Sequence, residues 1–259
     1  MLLAGVNLLH LEGVNLFLQN CVKIAIMEKR KIFPSITTTD GNHLDKLKEV
    51  NRLRLEEVCF FPTCLNPKER KNFYPLLEKS RLRKIPLVHL KDDFKLWEIE
   101  YYLKNFQTEV FNAHTSLEFP IPQEWLKYKD KIYIENTVSA WDKEELEKFA
   151  GVCLDFSHLE DARLLRKEIY EVNIKLLDKH SCGCGHISAV SKNPMYSKEY
   201  NINYYSIHYF EALSEFDYLK NYPKKYFPQI IALELENSIK EQLKAKEYIE
   251  RILDLDKVY

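Results

Sequence analysis

Histidines and carboxylates fall at one kind of place in this chain. Short β-branched or aromatic runs end at or next to His89, His114, Glu135, Asp155 and Glu234, with His158 just beyond Asp155, His186 inside a further run and His208 in the segment after it. A single histidine at the end of a strand is ordinarily a hydrogen-bonded structural residue. Four of the eight histidines of the chain at such positions, with His208 as a fifth, are a different matter. Imidazoles and carboxylates drawn together from separate segments form the donor set of Zn²⁺, Mn²⁺ or a cluster of such ions. Carboxylates gathered without a cation would repel one another and take up protons.

The segment His180-Ser-Cys182-Gly-Cys184-Gly-His186 suggests a local zinc knot, but its spacing argues otherwise. Alternate residues of a strand share a face and stand roughly 6.5–7 Å apart, whereas thiolates bound to one zinc each lie about 2.3 Å from it. Cys182 and Cys184 are therefore expected as small inward-facing fillers. No Gly-x-x-x-x-Gly-Lys-Ser/Thr, Gly-x-Gly-x-x-Gly, Gly-x-Ser-x-Gly or His-Glu-x-x-His occurs. Phosphate-cradling loops, a nucleophile elbow and a zincin helix are thus excluded, and no organic cofactor is implied.

What must position the donors is an alternation of strands and helices. The strands expected are Lys31–Thr37, Glu57–Phe61, Ile85–His89, Glu109–His114, Lys131–Glu135, Val152–Asp155, Gly183–Ser188 and Gln229–Glu234. Between them, Leu44, Leu47 and Val50 mark one helix, Phe94, Trp97, Tyr101 and Phe106 another, and Ala162 through Leu176 a long third. A final helix runs from about Ile239 to Leu253. Eight parallel strands in this length suit a single-domain α/β (β/α)8 TIM barrel better than a doubly wound sheet, which advertises glycine turns; this chain has only 6 glycines. The fourth βα unit is thin, since Thr115 to Asp130 contains Pro120 and Pro122 and leaves room for only a short helix. In such a barrel, groups at the C-terminal ends of the strands converge on one mouth.

The 259 residues are 46% hydrophobic and 30% charged, which suits a folded globular chain. Lys plus Arg at 38 nearly balance Asp plus Glu at 39, so net charge supplies no long-range attraction for a polyanion. Pro67-Lys-Glu-Arg-Lys71 is a local basic run that either contacts phosphate or simply starts a solvated helix. Six irregularly spaced cysteines read as reduced thiols of a cytoplasmic protein. Residues 1–28 are apolar but carry Glu12, Gln19 and three asparagines without a basic leader; they resemble neither a secretory signal nor a spanning helix. They are expected to be an N-terminal extension, or upstream of a start at Met27, with the barrel over 29–259 and no membrane or protein partner implied.

Three local matches resemble endonuclease IV and the wider xylose-isomerase-like barrel superfamily. They are Ile132-Tyr-Ile-Glu-Asn-Thr137, Gly151-Val-Cys-Leu-Asp-Phe-Ser-His158 and Gly185-His-Ile-Ser188, with Val110 to His114, Val88-His89 and Ile230 to Glu234 in the same order. The resemblance covers about residues 31 to 255. It implies that Glu135 and Glu234 bind metal, Glu135 as a bridge, and that these two carboxylates are the catalytic pair. His89 and His114 would serve one zinc, Asp155 and His186 a second, and His158 with His208 a third. The family supplies an aspartate two residues before that last histidine, where this chain has Ser206, so the third position is expected to be weak, empty or filled by a different ion.

Two chemistries use these residues. One is hydrolysis of a phosphodiester at an abasic or otherwise damaged nucleotide in DNA, a repair activity with two or three zinc ions. The alternative is a sugar or sugar-phosphate isomerase or epimerase, with one Mn²⁺ held by Glu135, Asp155, His186 and Glu234 and a small sugar as substrate. The surplus His89, His114 and His208 favour the hydrolase; compactness, charge balance and Ser206 favour the isomerase. A barrel that binds metal without turnover is a third, plainer possibility.

Overall fold

The computed structural model describes residues 30–198 and 201–254. The extension expected over residues 1–28, with its alternative start at Met27, lies outside them. All eight expected strands are present. The parallel sheet contains nine segments: Lys31–Phe33, Ser35–Thr37, Cys59–Phe61, Leu87–His89, Val110–Ala113, Ile132–Glu135, Gly151–Asp155, Cys182–Ile187 and Ile230–Leu233. The first two are one strand interrupted at Pro34, which leaves eight. Lys31–Phe33 pairs with the eighth strand and Ser35–Thr37 with the second, bringing the two ends of the sheet together as an α/β TIM barrel. Proline has no N–H to give to a ladder, and it stands where the strand changes partner.

The alternation of side chains along each strand sorts the chain into an inside and an outside. Ile132 and Ile134, Val152 and Leu154, and Ile231 and Leu233 face outward into the layer under the helices. Cys153, Cys184 and Ala232 face inward and pack with Phe33, Phe61 and Leu87. Two residues further along the same inward faces lie Asp155, His186 and Glu234, with Glu135 in the same position beyond Tyr133. The register sets Asp155 level with His186, Glu135 level with Cys153 two residues before Asp155, and Glu234 two residues beyond Ala232, the partner of His186, so the four are staggered around the mouth.

Helices His43–Arg52, Pro67–Glu78, Leu96–Phe106 and Ile239–Leu253 surround the sheet. Trp97, counted on the buried face of its helix, is instead 48% exposed, with Phe94 fully buried. The long helix expected from Ala162 to Leu176 is two, Phe156–Leu165 and Lys167–Leu177, broken at Arg166, whose φ of −140° and ψ of 62° are not helical. Apolar periodicity continues across the break, where Arg166 Nη1 reaches the Asn203 carbonyl at 3.3 Å. The fourth unit is as thin as expected, a 3-10 segment over Gln123–Lys131 that buries Trp125.

One local expectation needs correction, and one segment takes a form that was not expected. Cys184 fills the barrel interior as expected, but Cys182 packs outward against the helical layer. A register irregularity between Val152 and Cys153 shifts the alternation, and Gly183 faces inward, where an added Cβ would collide with the Tyr133 ring. The segment after the seventh strand contains an antiparallel hairpin, Ala189–Ser197 with Ile202–Ile207. Its outgoing arm carries Lys192, Asn193 and Pro194, which hide the alternation of a strand.

Candidate metal centre

Glu135 ends the fifth strand and is almost completely buried. Its Oε2 lies 3.1 Å from His89 Nε2 and 3.4 Å from His186 Nδ1, and its Oε1 lies 4.0 Å from His114 Nε2. His186 Nδ1 is also 3.5 Å from Glu234 Oε2. Among the described residues, three groups bring potential ligand atoms within 4.8 Å of one another: His89, His114 and Glu135; Glu135, Cys153 and His186; Glu135, Asp155, His186 and Glu234. Six of the eight residues singled out in the sequence belong to these groups, and Glu135 belongs to all three.

Electrostatics keep the donors in charged pairs. Burial opposes ionisation of Glu135, yet His186 and His89 outweigh it and hold the carboxyl well below its ordinary range. Glu234 behaves likewise: burial raises its pKa, His208 and His186 bring it down, and the result is about 2. Burial disfavours a charged His186, but Glu135 and Glu234 push its pKa well above 6.5. The same balance, with Glu118 and Glu135 against burial, raises His114.

Whether these residues fit a cation is answered by their unused atoms. Asp155 Oδ1 caps the following helix, accepting from Ser157 N at 2.7 Å and His158 N at 2.9 Å, while its buried Oδ2 has no hydrogen-bond partner. Buried polar atoms are normally satisfied. Each of three histidines is also contacted at the nitrogen opposite the one that faces Glu135. His89 Nδ1 lies 2.9 Å from the Leu90 carbonyl, His114 Nδ1 3.2 Å from Glu118 Oε2, and His186 Nε2 3.5 Å from Cys153 Sγ. A histidine fixed on its far side presents its other nitrogen to a metal in one tautomer. The residues fit a divalent cation.

His158 and His208 stand outside the three groups. His158 Nε2 is 3.9 Å from Asp155 Oδ2, and burial opposed by Asp155 and Glu135 leaves its pKa raised. Both histidines border a cleft of about 770 Å³ between the mouth and the hairpin, together with Asp161 and Ser206. Ser206 Oγ donates to Asp161 Oδ2 at 2.7 Å, and Tyr205 N and Ser206 N donate to Asp161 Oδ1 at 2.6 and 3.1 Å. A carboxylate is thus present beside Ser206, but it comes from the helix after the sixth strand and clasps the hairpin.

Several residues of the site were not singled out in the sequence. Asn112 donates to Glu135 Oε2 at 2.7 Å; it lies two residues before His114, so strand alternation was the available signal. Asn136 locks the Asp155 backbone with two 2.8 Å bonds. Glu118 sits one helical turn's spacing beyond His114, and Cys153 two residues before Asp155. The Pro67-to-Lys71 run is a helix start capped by Asn66, and its Arg70 is fully buried against Glu98 and Asp93.

No protein-family model and no curated protein matches the chain. Among solved structures, an HpcH/HpaI aldolase from Desulfitobacterium hafniense aligns at 10% identity over 92% of this chain and 97% of that one, with a TM-score of 0.42. An aldo-keto reductase from Bacillus halodurans aligns at 15% identity over 86% of each chain, with a TM-score of 0.41. No helix among the described residues is long and apolar enough to cross a membrane.

Proposed function

We propose that the chain is a divalent-metal-dependent phosphodiester hydrolase resembling endonuclease IV, with abasic or otherwise damaged DNA as the substrate that the resemblance implies. One observation carries this reading: Glu135 is shared between a His89–His114 group and an Asp155–His186–Glu234 group. A single carboxylate common to two donor sets is what a pair of neighbouring cations requires, and a one-ion sugar site has no use for the first set. Bound there, the cations would supply an activated water and stabilise charge on the leaving oxygen. His89, His114 and Glu135 would hold one, and Asp155, His186, Glu234 and Glu135 the other.

The protein's own groups prepare that chemistry. Asn112, Asn136 and the partners of the three histidines orient the donors before any cation arrives, so little reorganisation is left for the reaction. Phe61 closes the inner wall, its ring 4.9 Å from that of His186, and keeps bulk water from the floor of the site.

The sugar isomerase or epimerase remains the second reading, and a specific observation favours it. Glu118, Glu211, Glu215 and Glu236 line the cleft beside the mouth, with no lysine or arginine among the lining residues. That is poor electrostatics for a polyanion and acceptable for a neutral sugar. The deciding experiment offers both substrates to wild type and His89→Ala. The hydrolase reading expects metal-dependent, salt-sensitive incision of a duplex carrying an abasic site, reduced at least about tenfold in His89→Ala. Absence of incision with zinc, manganese and magnesium, together with solvent-proton exchange into a ketose that survives His89→Ala, would overturn it.

A further inference from the structure

Cys153 is fully buried on the sixth strand, two residues before Asp155 on the same inward face. Its Sγ is 3.5 Å from His186 Nε2, while the opposite nitrogen of that ring points at Glu135 Oε2 and Glu234 Oε2 at 3.4 and 3.5 Å. His186 is itself fully buried, and its Nδ1 has no hydrogen-bond partner. An imidazole can ligate a cation only through a lone pair, so Nδ1 facing the carboxylates requires the ring proton on Nε2. Among the described residues, the only hydrogen-bond contact at that nitrogen is the cysteine sulfur.

We infer that Cys153 is a positioning residue: its sulfur accepts the Nε2–H of His186 and fixes the tautomer that presents Nδ1 to the cation. The assignment rests on the metal-centre reading above. It places Cys153 in the role that the Leu90 carbonyl has for His89. The alternative role is direct thiolate ligation, for which Glu135, Cys153 and His186 bring atoms within 4.8 Å of one another; the spectrum of the cobalt-loaded protein separates the two roles.

The test compares wild type, Cys153→Ser and Cys153→Ala by zinc affinity in competition with a chelator, by ¹⁵N signals of the His186 ring, and by absorption of the cobalt-loaded protein. Serine keeps an acceptor and alanine does not. Zinc affinity is expected to fall about tenfold or more in Cys153→Ala and to recover to within about threefold of wild type in Cys153→Ser. The ring signals should show a protonated Nε2 in wild type, shifted in Cys153→Ala. Wild-type affinity in the alanine variant would overturn the inference, and so would a sulfur-to-cobalt charge-transfer band lost in both variants, because that band means ligation. The ring signals are recorded after chelator treatment as well. A wild type that binds no cation would then overturn the metal reading, while the Nε2–H signal separately decides the hydrogen bond.

Discussion

The side-chain amide of Asn112 donates a 2.7 Å hydrogen bond to Oε2 of Glu135, from the fourth strand to the fifth. That oxygen is the one that also faces His89 and His186. The amide therefore sets the rotation of the carboxylate that both donor groups share. Asn112→Ala should weaken the first cation bound by about 10- to 100-fold, with a near-native circular dichroism spectrum. Metal titrations identical to wild type would show that Glu135 needs no such support.

Removing Glu135 itself should have the largest effect on metal content. Glu135→Ala takes a ligand from every one of the three groups, so elemental analysis of protein purified without chelator should find less metal than in any other single variant of the site. A variant that keeps full stoichiometry would mean that the cations lie elsewhere.

The metal-free protein should have a defined pH window of stability. Glu234 is lowered from 4.5 to about 2 on folding; its contribution is present above about 4.5 and lost as pH falls toward 2. His186 is raised above 6.5 on folding; its contribution is complete below 6.5 and lost as pH rises through the folded value. In chelator, Tm should be highest between these limits and decline on both sides. The alkaline decline should be smaller in His186→Gln, the remainder coming from His114 and His158, which folding also raises. Zinc should move the optimum upward, because ligation needs the neutral imidazole and releases its proton. A flat Tm profile from pH 4 to 9 in chelator would contradict these paired charges.

Ser206→Asp tests the clasp between the hairpin and the sixth unit. Asp161 already accepts from Tyr205 N, Ser206 N and Ser206 Oγ, and a second carboxylate in the place of the hydroxyl would repel it. The loss should be about 1–3 kcal/mol in chelator. Zinc should reverse it, since His158 and His208 border the same cleft. Unchanged stability with and without zinc would mean that the two side chains do not meet in solution.

Arg70→Ala should be the most damaging substitution away from the mouth. Its guanidinium is fully buried, with Nε 2.9 Å from Glu98, Nη1 2.8 Å from Asp93 and 2.9 Å from the Leu65 carbonyl, and the group lies 4.1 Å from the Phe94 ring centroid. Leaving Glu98 buried without its partner should cost about 3–5 kcal/mol, measured by urea unfolding. A loss under about 1 kcal/mol would show that Glu98 finds another partner or a proton.

The barrel and the gathering of most of the candidate donors were legible in the residues alone, because both follow from local periodicity. Alternation along a strand dictates which side chains share a face, so Glu135, Asp155, His186 and Glu234 could be assigned to the inward faces near the strand ends; the stagger between the strands came from the fold. The tertiary structure decided what periodicity does not encode. Only the fold shows that Arg166 breaks a helix whose apolar spacing runs on unchanged, that a register shift turns Cys182 outward, and that the carboxylate beside Ser206 comes from Asp161. Only the fold shows which atom of each imidazole faces the cluster. Those outcomes depend on contacts between residues dozens of positions apart, such as Asn112 with Glu135 or Cys153 with His186, whose partners are chosen by the closure of the barrel and leave no trace in the spacing of either segment.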